Sequence, residues 1–340
     1  MRFGKALAIT AAALGVALAA AAVWVLTAKP ALRPASAETI EGTTERLRRG
    51  RYLAVHVLSC FDCHTRRDWS RWGGPSAGPL GAGGHCFTRD DGFPGFICAP
   101  NITPDEATGI GGWTDGEILR AIREGVDRTG RALYPRMPYL EYRHLAEEDV
   151  RSVVAYLRSI PAVRNATPET RISFPASFFV KRLPQPVEGP VAEPDSEDRV
   201  AYGRYLAEIS GCKSCHTPVD RRQRPVPELA YSGGHEFKGP YGTHRASNLT
   251  PHASGMGSRT RDQFIGMFKA FSDPETVAVE VEPGHNTVMP WFALAGMSAE
   301  DLGAIFDYLR TVPAIDNRVE ERSPQNAGRV GSGVYVSFVR

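Results

Sequence analysis

Cys60-Phe61-Asp62-Cys63-His64 and Cys212-Lys213-Ser214-Cys215-His216 repeat one pattern, two thiols separated by two residues and followed directly by an imidazole. C-x-x-C-H is the attachment signature for c-type haem. The chemistry sets the spacing. Two thiols add to the two vinyl groups of one porphyrin, and the adjacent His reaches the iron as proximal ligand. A zinc site would need four ligands in a closed tetrahedron. Only Cys86 and Cys98 remain as further thiols, and nothing comparable lies near the second copy. The sequence therefore predicts two covalently bound haem c groups. Cys60, Cys63, Cys212 and Cys215 attach them, with His64 and His216 on the irons.

The sixth iron position has two candidate ligand types. His64 to Met137 is 73 residues, and so is His216 to Met289. Both methionines precede a proline. Met137 is the only methionine between His64 and the second repeat, whereas Met289 competes with Met256, Met267 and Met297. Most methionines simply fill gaps in a core, but the repeated spacing favours Met137 and Met289 as ligands. His and Met together raise the haem potential and leave no open position for a substrate. His85 and His235, each in a Gly-Gly-His context, are the competing ligands.

These residues must be positioned by elements that also repeat. Leu47, Gly50 and Leu53 match Val200, Gly203 and Leu206 at an offset of 153, on one face of a helix that runs into each C-x-x-C-H. Thr114 with Glu117 and Thr260 with Gln263 form capping boxes that open a second helix. Val150, Val153, Val154 and Leu157 match Leu302, Ile305, Phe306 and Leu309 at an offset of 152, the face of a closing amphipathic helix. Pro161 and Pro313 end those helices. Asn101-Ile102-Thr103-Pro104, Asn248-Leu249-Thr250-Pro251 and the two Met-Pro segments read as loops. The expected organisation is 1–37 as a signal anchor or signal peptide, 38–165 and 196–318 as two haem domains, 166–195 as a Pro-rich linker and 319–340 as a tail.

The composition fits an all-α fold, small helical domains wrapped around a cofactor. Hydrophobic content of 42% and charged content of 23% describe a globular chain. Beyond residue 37 it holds 36 basic against 38 acidic residues, and no basic patch points to nucleic acid. No Rossmann or P-loop pattern is present. Residues 6–28 are 23 uncharged positions behind Arg2 and Lys5. That length favours an uncleaved membrane anchor with Trp24 near one interface. The Ala-rich character of the run and Ala35-Ser36-Ala37 fit a cleaved signal instead. Either reading exports the rest of the chain to the periplasmic side of a bacterial inner membrane.

The order C-x-x-C-H, Gly-Gly loop, Asn101-Ile102-Thr103-Pro104-Asp105 with Thr108-Gly109-Ile110-Gly111, then Leu133-Tyr134-Pro135-Arg136-Met137-Pro138-Tyr139 resembles a family. It is similar to the multihaem cytochrome c subunits of bacterial membrane-bound alcohol and sugar-acid dehydrogenases. The match covers roughly 45–165; residues 196–318 keep C-x-x-C-H, Asn-Leu-Thr-Pro, Met-Pro and the closing helix. The resemblance implies a class I cytochrome c fold in each domain and haem c in each. It also implies electron passage from a dehydrogenase towards quinone or a terminal acceptor, with a dehydrogenase, quinol enzyme or terminal oxidase as redox partner. Those subunits typically carry three haems, whereas this sequence has two attachment motifs. The alternative is a haem enzyme, such as a dihaem peroxidase or thiosulfate dehydrogenase, with one open or displaceable iron position.

Cys86 and Cys98 lie in an exported segment where disulfides persist, and a disulfide between them is expected; the alternative is a thiolate on the first iron. Arg66-Arg67 and Arg221-Arg222 follow the two motifs and read as solvated pairs, or as contacts for propionates or an acidic partner. The Pro79 carbonyl is the expected acceptor for the proximal His64 Nδ1.

Overall fold

The computed structural model describes residues 2–221, 223–239, 242–273, 279–282 and 285–320; Arg222 and most of the 319–340 tail fall outside these. The apolar run forms helix α1 (Arg2–Thr27). The first repeat then holds α2 (Thr44–Tyr52), continued by a π-helical turn at Leu53–Val57, and α3 (Cys60–Cys63). It continues through α4 (Asp115–Glu124), α5 (Tyr139–Tyr142) and α6 (Glu147–Ser159). After α7 (Ala176–Val180), the second repeat holds α8 (Arg199–Ile209), α9 (Cys212–Cys215), α10 (Arg261–Lys269), α11 (Trp291–Ala295) and α12 (Ala299–Leu309).

In each repeat the first helix crosses the last at a glycine. A Cβ on Gly50 would lie 1.9 Å from the Ser152 carbonyl oxygen, and one on Gly203 would lie 1.8 Å from that of Ala304. These crossings let the backbones touch and bury Leu53, Val150, Val153 and Val154 in one half, and Leu206, Leu302 and Leu309 in the other. Both capping boxes form: the Thr114 and Thr260 hydroxyls accept from the Glu117 and Gln263 amides. The Asn-x-Thr-Pro loops are tied down by their own buried side chains. Asn101 donates to the Val163 carbonyl beyond α6, and Asn248 to the Ile315 carbonyl beyond α12. The same amides accept from the backbone N–H groups of Thr103 and Thr250.

The chain is not all-α. It is mixed, 38% helix and 8% strand. Strands β1 (Cys86–Phe87), β2 (Gly95–Cys98) and β3 (Arg171–Ile172) form an antiparallel sheet in the order β1-β2-β3. Strands β4 (Glu236–Gly239) and β5 (Gly242–Arg245) form a hairpin in the second half. β1 and β3 are two residues each, too short to show a two-residue alternation, and β3 comes from the Pro-rich segment 166–195, far from β2 in sequence. The β2–β3 pairing is set by long-range hydrogen bonds, which local periodicity does not encode.

The expected N-terminal membrane anchor does not hold either. Alanine fills 10 of the 26 positions of α1, and alanine adds little apolar area per residue. Among the described residues no helix is long and apolar enough to cross a membrane. Trp24, expected at a membrane interface, packs edge-on against Phe178 at 5.6 Å, with the Arg182 guanidinium over its ring.

The two halves dock through a reciprocal pair of contacts. The Tyr52 hydroxyl donates to Asp301 Oδ2 at 2.5 Å and accepts from the Ser298 amide. The Tyr205 hydroxyl donates to Asp149 Oδ2 at 2.6 Å and accepts from the Ala146 amide. Each partner pair is one repeat apart in sequence, so the same patch serves on both sides, as across a two-fold axis. Tyr205→Phe is expected to lower stability by about 1–3 kcal/mol, because it strands the buried Ala146 amide and removes one bond to Asp149 Oδ2, which Arg49 still holds. Tyr52→Phe, at a less buried site, should cost less. Denaturant midpoints of the two variants provide the comparison.

Candidate haem-binding cavity

A single cavity of about 1900 Å³ reaches both C-x-x-C-H turns and both Met-Pro loops. Cys60, Cys63, His64 and Met137 line one part of it, and Cys212, Cys215, His216 and Met289 another. Cys63 acts electrostatically on Cys215, across the two attachment turns. Cys215 is exposed only in the sense that it faces this space.

The proximal histidines are fixed in equivalent ways. His64 Nδ1 lies 2.8 Å from the Pro100 carbonyl oxygen, and His216 Nδ1 lies 2.8 Å from that of Ser247. A carbonyl can only accept, so Nδ1 carries the proton and Nε2 keeps its lone pair. Burial lowers the His64 pKa, which favours the neutral ring that can ligate iron. The Pro79 carbonyl, expected in this role, accepts instead from the Ala82 amide. The Gly-Gly loops explain the exchange. Gly83 and Gly233 have φ of +75° and +77°, and their amides donate to the His64 and His216 carbonyls at 2.8 and 2.7 Å. A Cβ on Gly83 would meet Pro100 backbone at 2.6 Å, and one on Gly233 the Ala246 and Ser247 backbone at 2.5 Å. Only glycine admits the close approach of the segment that supplies the acceptor carbonyl.

The methionine loops also match each other. Backbone N–H groups two residues on, at Tyr139 and Trp291, each donate to the methionine carbonyl at 2.8 Å. Met256, Met267 and Met297 also line the cavity, but none sits in such a loop. His85 and His235 face the same space from the Gly-Gly side. His235 Nδ1 lies 3.3 Å from the Ser214 carbonyl, inside the second attachment turn, so it stands on the wall that carries His216. His85 packs edge-on to Phe87, and burial with the nearby Arg67 and Arg136 cations pushes its pKa down to about 4.

Burial pushes all four attachment thiols up, Cys60 to about 12 and Cys212 to about 11. Among the described residues no group of three or more His, Cys, Asp or Glu is placed to hold a metal ion. Cys86 and Cys98 form a disulfide across β1 and β2, so neither is available as a thiolate ligand. Arg67 is not a solvated charge. It donates to the Gly74 carbonyl at 2.5 Å and to that of Gly73, and it stacks over the Trp69 ring.

Two residues at the junction were not singled out by sequence reasoning. Glu141, beside Tyr142 on α5, reaches Ser214 of the other half, and its pKa is raised by burial. Arg136 lies over the Phe87 ring at 5.1 Å and acts electrostatically on Cys63 and Cys215 alike. Both flank the Met137 loop, but neither recurs at the equivalent place in the second half, so no repeat pointed to them.

Duplicated thiol pairs, oriented imidazoles and one apolar-lined cavity fit the c-type cytochrome class. No family model matches the chain. Over 276 residues it is 33% identical to the fructose dehydrogenase cytochrome subunit of Gluconobacter japonicus, covering 78% of this chain and 52% of that protein. It is 31% identical over 290 residues to the gluconate 2-dehydrogenase cytochrome c subunit of Pantoea cypripedii, covering 79% and 60%. It is 28% identical over 287 residues to a dihaem c-type cytochrome of Cereibacter sphaeroides, covering 82% and 90%. The chain thus spans little more than half the length of the two dehydrogenase subunits. Its homologues are cytochrome c subunits of fructose, gluconate and alcohol dehydrogenases and a dihaem cytochrome c.

Proposed function

We propose that this protein is a dihaem electron carrier that relays electrons from a dehydrogenase to a respiratory acceptor on the periplasmic side of the inner membrane. The observation that carries this reading is the single cavity lined by both C-x-x-C-H turns and both Met-Pro loops. Cys60 and Cys63 hold the first haem and Cys212 and Cys215 the second. His64 and His216 are the proximal ligands, and Met137 and Met289 fill the sixth positions. When bound, the haems supply one-electron redox chemistry.

The chain's own residues do the rest. The Pro100 and Ser247 carbonyls hold the imidazoles in one tautomer and orientation. Phe268, Leu294 and Met297 on the second side, and Ile118 and Leu157 on the first, line the cavity with apolar surface and keep water out. Filled sixth positions deny a substrate access to iron, so transfer is outer-sphere. The reciprocal Tyr–Asp docking fixes the two sites relative to each other, which a relay between them requires. We take 38–165 and 196–318 as the two haem units, each holding one attachment turn and one Met-Pro loop, with β3 of the 166–195 segment packed on the first.

Intact-protein mass spectrometry of the exported chain should show two haem additions that survive denaturation. One addition or none would overturn the proposal. Alkylation under native, non-reducing conditions should label no cysteine, because four are in thioether bonds and two in the Cys86–Cys98 disulfide. Labelling of two would remove the disulfide from the working protein.

A further inference from the structure

The loop that carries Met289 is held by the other half of the molecule. Asn286, three residues before Met289, is 1% exposed. All four hydrogen-bonding positions of its amide are used. Oδ1 accepts from the Gly73 and Thr287 amides, each at 2.8 Å. Nδ2 donates to the Trp69 carbonyl at 2.9 Å and the Arg71 carbonyl at 2.6 Å. Three of these four bonds cross from the second half to the segment directly after the first attachment turn. Thr287 passes the constraint on, because its hydroxyl accepts from the Met289 amide at 3.2 Å.

The anchoring segment is itself rigid. Arg67 ties the Gly73 and Gly74 carbonyls, and the Ala77 amide closes back on the Arg66 carbonyl at 2.7 Å. Two backbone bonds run alongside the amide clamp, Trp72 N–H to the Val279 carbonyl at 2.8 Å and Val281 N–H to the Ser70 carbonyl at 2.9 Å. The residue one repeat earlier than Asn286 is Tyr134, whose phenol cannot bridge two amides and two carbonyls. The clamp therefore belongs to the second site alone.

We propose that Asn286 is a positioning residue for the sixth ligand of the second haem, seating Met289 against the loop that follows the first haem's attachment turn. The proposal rests on the reading of Met289 as ligand. Its physical basis is the cost of an unmade buried bond. Removing the amide strands two N–H groups and two carbonyls, and relief comes from water entry or movement of the loop. Either frees the Met289 side chain.

The test uses the full dihaem protein in four forms: wild type, Asn286→Ala, Asn286→Asp and Met289→Ala. Midpoints of both haems are titrated, and imidazole is the probe for an opened iron. Met289→Ala identifies the second haem's signals. Asn286→Ala should lower the midpoint of that haem alone and tighten its imidazole binding by about tenfold, the scale of one lost buried hydrogen bond. Asn286→Asp keeps the acceptor for Gly73 and Thr287 but turns a carboxylate oxygen on the Trp69 and Arg71 carbonyls, so its shift should be at least as large and in the same direction. It carries the test if the alanine variant is not recovered with both haems. If Met289→Ala changes the second haem while both Asn286 variants match wild type, the positioning role is wrong. Equal shifts at both haems would also overturn it, because they would report general loosening. If Met289→Ala leaves the second haem unchanged, the ligand reading itself fails, and the proposal with it.

Discussion

Gly203→Ala is expected to destabilise the protein by about 3 kcal/mol or more, at or beyond the upper end of ordinary overpacking. The added Cβ would sit 1.8 Å from the Ala304 carbonyl oxygen and 2.4 Å from its carbon. These are backbone atoms of α12, so no side-chain rotation relieves the clash. The helices must separate, and the separation opens the wall formed by Leu206, Leu302 and Leu309. Total stability of a domain is only about 5–15 kcal/mol, so the second half should lose haem as well as cooperativity. Gly50→Ala, 1.9 Å from the Ser152 carbonyl oxygen, should do the same to the first half. Gly266→Ala is the control. It lies inside α10 with nothing within 4 Å of an added Cβ, so it should be neutral or stabilising by about 0.5–1 kcal/mol. Denaturant midpoints and haem content of the three variants check this. A Gly203→Ala protein as stable as wild type would contradict the backbone crossing.

Met137→Ala and Met289→Ala should each leave two haems attached and alter one. Loss of the thioether opens that iron to exogenous ligands. It should lower the midpoint by on the order of 0.1 V or more, within the roughly 0.8 V span that axial ligation sets. Because Met256, Met267 and Met297 also border the cavity, a substitute thioether is available to the second iron, whereas among the described residues the first has none besides Met137. Met137→Ala should therefore give the cleaner high-spin spectrum. An unchanged spectrum and potential in either variant would remove that methionine from the iron and bring His85 or His235 forward.

Local spacing made much of this legible in the sequence. The attachment turns, the capping boxes, the Met-Pro loops and the closing helices depend on residues within a few turns of each other, and they recur at a near-constant offset. The features that depended on distant partners were not legible. β3 pairs with β2 across more than 70 residues, so the fold reads as all-α until the strands meet. The Pro100 carbonyl reaches His64 only because Gly83 lets two backbones touch, and nothing local distinguishes it from Pro79. The apolar stretch at the start has the length of a membrane span, but length alone did not make it one. Arg136, Glu141 and Asn286 act across the two halves, and residues with cross-half roles need not recur.

The most direct measurement is a redox-titrated absorption spectrum of the purified, haem-loaded protein. It should show two one-electron transitions, both from low-spin c-type haem, in the stoichiometry of two per chain. A high-spin fraction belonging to one haem in the unmodified protein would mean an open iron position. That result, or a single transition accounting for all the haem, would contradict a closed dihaem relay.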